Sequence, residues 1–181
     1  MEKPFLIELA KNVVENKLGR GTRAYTALEM VGLRMAGEYT DKKAGVFVTI
    51  TKNGQLRGCI GTINPDDYIL NNVQLMAEQA AFKDPRFKPV VVEELKDLEY
   101  EVTILHPPTP VDEFSEIEIG KHGLIVERGY NRGLLLPQVA VELGWDALQF
   151  VKHTCEKAGL LHYAYQYEGT KVFKFEGEVI K

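Results

Sequence analysis

The chain has 181 residues, 45% of them hydrophobic, enough for an ordinary folded core and against a disordered chain. Its formal net charge is −4, and no Lys/Arg block exceeds two residues, so the phosphate-neutralising stripe that nucleic-acid binding needs is missing. No apolar stretch approaches the ~20 residues that cross a bilayer, and Met1-Glu2-Lys3-Pro4 does not read as a secretory leader. A cytoplasmic location is expected, with Cys59 and Cys155 as thiols.

Pro4 is suited to a first helical position, and Leu6, Leu9, Val13 and Val14 then repeat at helical spacing up to Gly19. Residues 20–44 are expected to cross irregularly with at most a short helix, because Gly32 and Gly37 interrupt the Leu28, Val31, Met35 spacing. Gly45 to Lys52 is β-prone, Asn53-Gly54 signals a hairpin, and residues 55–62 return as its second strand. A two-residue loop would set Ile50 against Arg57. A three-residue loop pairs Ile50 with Leu56, Val48 with Gly58 and Val46 with Ile60. It leaves Phe47, Thr49, Thr51, Arg57 and Cys59 on the other face, and that segregation favours the longer loop.

After Asn64-Pro65-Asp66-Asp67, an amphipathic helix carries Ile69, Val73, Met76, Ala77, Ala80 and Ala81, and Asp84-Pro85-Arg86-Phe87 ends it. Glu93 and Glu94 fall in a short turn or helix before a strand at 99–105. His106-Pro107-Pro108-Thr109-Pro110 is a stiff connector, the expected internal boundary (near 106–111) of a single domain. Strands are expected at 123–128 and 133–136 around the turn Gly129-Tyr130-Asn131-Arg132. A helix opens at Pro137, another spans about 146–158, and Val172, Phe173 and Phe175 suit a last strand. Hairpins without strict β-α-β alternation make the class α+β, with a largely antiparallel sheet and flanking helices.

Several residues suit chemistry. Arg57 and Cys59, two apart on one strand, share a face about 7 Å apart. A guanidinium there would favour the thiolate, while the structural reading makes Cys59 a small buried hydrophobe and pairs Arg57 with a carboxylate. Gly58 and Gly61 would admit a ligand or another backbone. Asp84 and Arg86 offer a carboxylate and an anion-binding fork, or plain turn chemistry with a salt bridge from Arg86 to Asp84. Lys121 and His122 lie between two glycines. His122 would serve as acid or base, or as a loop histidine bonded to backbone. His106 reads as structural. Gln138, at a helix start, offers an amide to a ligand or to its own turn. His153 and Cys155 diverge on a helix, so no metal site is expected, and phosphate-loop, dinucleotide and hydrolase fingerprints are missing.

The run Leu56-Arg57-Gly58-Cys59-Ile60-Gly61-Thr62 resembles the signature of the AMMECR domain family. Further segments fit in order: G-V-F-V-T at 45–49, Ala-Phe-Lys-Asp-Pro-Arg-Phe at 81–87, Glu101-Val102-Thr103, Gly-Lys-His-Gly-Leu at 120–124 and Leu-Pro-Gln-Val-Ala at 136–140. The match spans about residues 5–176. A stand-alone chain of this size is similar to the prokaryotic type called AmmeMemoRadiSam system protein A. The resemblance implies an α+β fold with a larger and a smaller subdomain and a cleft between them. It also implies a Memo-like protein and a radical SAM enzyme as companions.

Carried over by position, Arg57, Cys59, Asp84, Arg86, Lys121, His122 and Gln138 are the candidates for the cleft. Two functions compete. In one, Arg57 and Lys121 hold a small anionic ligand or modified residue, with Cys59 as nucleophile or acid and His122 as its proton partner. In the other, the same face docks a protein partner without catalysis. No cofactor is called for.

Overall fold

The computed structural model describes residues 2–21, 39, 41–63 and 66–181. The expected crossing around Leu28, Val31 and Met35, and the Asn64-Pro65 part of the following turn, lie outside the described residues. The chain divides into two compact units, residues 1–105 with 178–181, and residues 106–177.

Among the described residues, the first unit is a four-stranded sheet packed against two helices. Helix α1 (Glu2–Lys17) begins two residues ahead of Pro4, so the proline falls within the first turn instead of opening it. Its Leu6, Leu9, Ala10 and Val14 are buried. Strands β1 (Val46–Lys52), β2 (Gln55–Thr62) and β3 (Leu98–Leu105) carry the sheet. Helix α2 (Ile69–Phe82) buries every apolar residue predicted for its inner face: Ile69, Val73, Met76, Ala77, Ala80 and Ala81. The sheet order is β2-β1-β3-β8, with β8 (Gly177–Ile180) arriving from the far end of the sequence. That strand went unforeseen, because four residues, G-E-V-I, are too few to show a period. Val46, Val48 and Ile50 from β1, with Tyr100, Val102 and Ile104 from β3, face the helices and are buried.

The β1–β2 hairpin corrects the expected register. Its loop is two residues long, Lys52 pairing with Gln55, and both loop residues take positive φ, Asn53 at 50° and Gly54 at 75°. Such a primed turn matches the twist of the flanking strands. Carried on unbroken, it would set Arg57 opposite the fully buried Ile50. A bulge intervenes instead: Thr51 pairs with Leu56, Ile50 with Gly58, and Arg57 is the extra residue. Beyond it Val48 pairs with Ile60 and Val46 with Thr62, not with Gly58 and Ile60 as expected. One inserted residue restores the parity that the short loop had shifted. Gly58 and Ile60 therefore still face the core, and Cys59 still shares the outer face with Thr49. Leu56 does not join the core and is 44% exposed.

The second unit has its own antiparallel sheet, in the order β4-β7-β5-β6. Its strands are β4 (Thr109–Pro110), β5 (Gly123–Arg128), β6 (Asn131–Leu135) and β7 (Lys171–Phe175). The β5–β6 loop is tighter than expected. Arg128 pairs with Asn131 across Gly129 and Tyr130 alone, with Gly129 at φ 59°. Helix α3 (Pro137–Glu142) opens on its proline, as expected. Helix α4 (Ala147–Lys157) is capped by Asp146, which accepts a hydrogen bond from the Gln149 backbone N–H at 2.7 Å. The core gathers Leu124, Val126, Ala140, Phe150, Val151 and Cys155. In each sheet a phenylalanine ring lies over a cross-strand glycine, Phe47 over Gly61 and Phe175 over Gly123.

Candidate functional site

Cys59 sits on the outer face of the first sheet, directly opposite Thr49, whose hydroxyl donates to Sγ at 3.3 Å. Thr49 in turn lies opposite Glu101 on β3. Cys59, Thr49 and Glu101 thus form a half-exposed row across three strands, and Lys181 reaches the Glu101 carboxylate at 3.0 Å.

The backbone of Cys59 is gripped from one turn. Asp84 Oδ2 accepts from the Cys59 N–H at 2.9 Å, and Arg86 Nη2 donates to the Cys59 carbonyl at 3.1 Å. The turn closes because Phe87 N–H donates to the Asp84 carbonyl at 3.1 Å, and Arg86 N–H and Nε both donate to Asp84 Oδ1, at 3.1 and 3.0 Å. Asp84 Oδ2 also accepts from Arg86 Nη2 at 2.7 Å. Arg86 is the main reason that the Asp84 carboxyl is held well below the usual carboxylate range, with the Cys59 N–H contributing. Asp84 is 4% exposed, ionised and saturated, so it braces the strand and is not free to take a proton. The Arg86 side chain is 53% exposed, and its Nη1 makes no hydrogen bond among the described residues.

Arg57 pairs with a carboxylate. At the bulge it turns to Glu94, donating from Nε at 3.0 Å and Nη2 at 2.9 Å, while Lys52 Nζ meets the same carboxylate at 3.1 Å. Chiefly through Arg57, the Glu94 carboxyl is lowered to about 2. Arg57 Nη1 is buried without a partner among the described residues.

Gly58 serves packing. A Cβ there would fall 2.2 Å from the Ala80 carbonyl oxygen of α2, so the close neighbour is another backbone.

The remaining candidates belong to the second unit. His122 is 7% exposed. Its Nδ1 accepts from the Glu118 N–H at 2.9 Å, which leaves the ring proton on Nε2, pointing at Glu176 Oε1 3.3 Å away. Lys121 Nζ meets the same Glu176 oxygen at 3.3 Å and Glu118 at 3.5 Å. The Lys121 ammonium lowers the Glu176 carboxyl, and Glu176 raises Lys121 in return. Gln138 is exposed at the second position of α3.

The structure therefore assembles Cys59, Asp84 and Arg86 in one cluster, Arg57 with Glu94 beside the hairpin, and Lys121 with His122 around Glu176. Sequence reasoning missed Thr49, Glu94, Glu101 and Glu176. Thr49 and Glu101 lay inside the quoted segments 45–49 and 101–103, and only the pairing of β1 with β2 and β3 shows that they continue the row that starts at Cys59.

Both cysteines are free thiols, and burial pushes the Cys155 thiol up. His153 stacks on Trp145 at 4.0 Å and bonds Glu156 at 2.8 Å. Among the described residues no helix is long and apolar enough to cross a membrane.

Comparison with known proteins agrees with the fold. The AMMECR1 family model matches residues 7–180. A protein of Methanosarcina barkeri is 43% identical over 180 residues, covering 97% of this chain and 87% of its own length. One from Nanoarchaeum equitans is 40% identical over 186 residues, covering 97% and 98%. The crystal structure of the uncharacterized protein PH0010 from Pyrococcus horikoshii is similar at a TM-score of 0.75 and 38% identity, covering 97% of this chain and 88% of that one. With a family model and relatives that span nearly its whole length, the chain belongs to the AMMECR1 family.

Proposed function

We propose that this chain is the A component of an AmmeMemoRadiSam system, working with a Memo-like protein and a radical SAM enzyme. In this reading the outer face around Cys59 holds a small anionic molecule or a modified residue without forming a covalent bond to it. The observation that supports it is the state of the charges. Asp84 is spent on the Cys59 backbone and on Arg86, and Arg57 on Glu94, whereas the half-exposed Arg86, bonded to the Cys59 carbonyl, keeps a guanidinium edge with no hydrogen bond among the described residues. A fork of that kind suits a carboxylate or phosphate.

The test is thermal stabilisation by a panel of small carboxylates and phosphates, on the wild type and on Arg86→Gln. A ligand that binds only the folded state raises Tm, and the variant is expected to lose that response. Pulldown with the Memo-like and radical SAM proteins runs beside it. Binding of a companion that Arg86→Gln abolishes, with no ligand response, turns the reading into a docking module. A Cys59 alkylated by iodoacetamide far faster than a free thiol at pH 7 restores a covalent role. The absence of both a ligand response and companion binding sinks the proposal.

A further inference from the structure

The second unit holds a cavity of about 360 Å³ lined by His106, Pro107, Thr109, His122, Lys174, Phe175 and Glu176. Its volume lies within the ~300–1,000 Å³ common for small-molecule sites. Lys174 and Glu176 flank Phe175, and alternate residues of an extended chain share a face about 7 Å apart. Thr109 on β4 stands directly opposite Lys174 and so faces the same way.

Opposite charges at that spacing would ordinarily pair with each other. Here each is tied elsewhere. Lys174 Nζ donates to Glu116 Oε2 at 2.7 Å and to the Glu116 carbonyl at 3.4 Å, which leaves one of its three donors. Glu176 receives Lys121 and His122 on Oε1 alone, and its Oε2 carries no hydrogen bond among the described residues. The His106 ring is likewise unbonded among them and lines the same cavity. His122, locked by the Glu118 N–H as an Nε2 donor, orients the Glu176 carboxylate and is not itself free to bind. The cavity thus presents one spare anionic acceptor and one spare cationic donor, with an imidazole and a hydroxyl near them. An α-amino acid offers the complement, an ammonium and a carboxylate a few ångströms apart.

We propose that this cavity binds a small zwitterion of the α-amino-acid type, its ammonium on Glu176 Oε2 and its carboxylate on Lys174 and His106. The proposal does not rest on the reading given to the Cys59 face.

The probes are glycine and L-alanine, added to the full-length protein and followed by the imidazole NMR signals of its four histidines. Saturable shifts are expected for His106 and His122, with His153 and His162 unmoved. N-acetylglycine and methylamine, each lacking one charge, should bind about tenfold or more weakly, as should Glu176→Gln and Lys174→Met, the usual effect of losing a charge-assisted hydrogen bond. Should Glu176→Gln fold poorly, Lys174→Met and the one-charge probes give the same reading. The proposal is overturned by the absence of saturable shifts at His106 and His122, by N-acetylglycine binding as well as glycine, or by both variants binding like the wild type.

Discussion

At the residue scale, Glu94 shows how a carboxylate becomes part of the fold. Arg57 and Lys52 both bond it, and its proton affinity falls from an ordinary value near 4.5 to about 2. For a group lowered on folding, the stabilisation is complete above the ordinary value and is lost as pH falls toward the lowered one. Denaturant midpoints are therefore expected to be flat above about pH 5 and to decline below it, with Asp84 adding to the decline because it is lowered in the same direction. Glu94→Gln should flatten part of this slope. An acid profile identical to that of the wild type would show that the Arg57–Glu94 pair adds nothing. Arg57 itself illustrates what spacing hides: two positions from Cys59 on paper, it is diverted by the bulge to a carboxylate 37 residues along the chain.

At the scale of elements, the fit between β2 and α2 rests on small residues on both sides. Gly58→Ala would bring a methyl to 2.2 Å from the Ala80 carbonyl, with backbone on both sides and no flexible side chain to yield. Overpacking of this sort costs about 1–3 kcal/mol, read as a lowered urea midpoint. Gly54→Ala is the contrasting case. Nothing lies within 4 Å of its Cβ, and only the φ of 75° opposes it, at about 1–2 kcal/mol. Equal and negligible effects would mean that the strand and helix have room to part. Helix α4 offers a third measurement. The reciprocal pair of Asp146 and Gln149, at 2.7 and 3.0 Å, closes its first turn, and Asp146→Ala should cost about 1 kcal/mol of stability.

At the scale of the whole molecule, the first unit is completed by the last residues of the chain. Strand β8 closes the edge of the first sheet after the second unit has been threaded, and its Ile180 is 2% exposed in the first core. Truncation after Gly177 should therefore weaken the first unit, not the second, by about 2–5 kcal/mol for the lost isoleucine alone. Amide exchange would show it as faster exchange in β3 with β5 unchanged, and equal loss of protection in both sheets would contradict it.

The sequence by itself determined the α+β class, the inner face of α2, the Asp84 turn and the family, because each depends on local periodicity, turn chemistry or an ordered set of short motifs. It also determined which face Cys59 occupies, since hydrophobic segregation enforces strand parity whatever the loop length. Only the tertiary structure decided how that parity is achieved, because loop length and bulge trade against each other and both satisfy the same pattern. It alone decided which carboxylate Arg57 meets, that Asp84 also holds the Cys59 N–H, and which groups His122 bonds. A charged side chain pairs with whatever the fold brings within about 3 Å of it, and nothing in the spacing of residues 57, 94, 118, 122 and 176 records that approach.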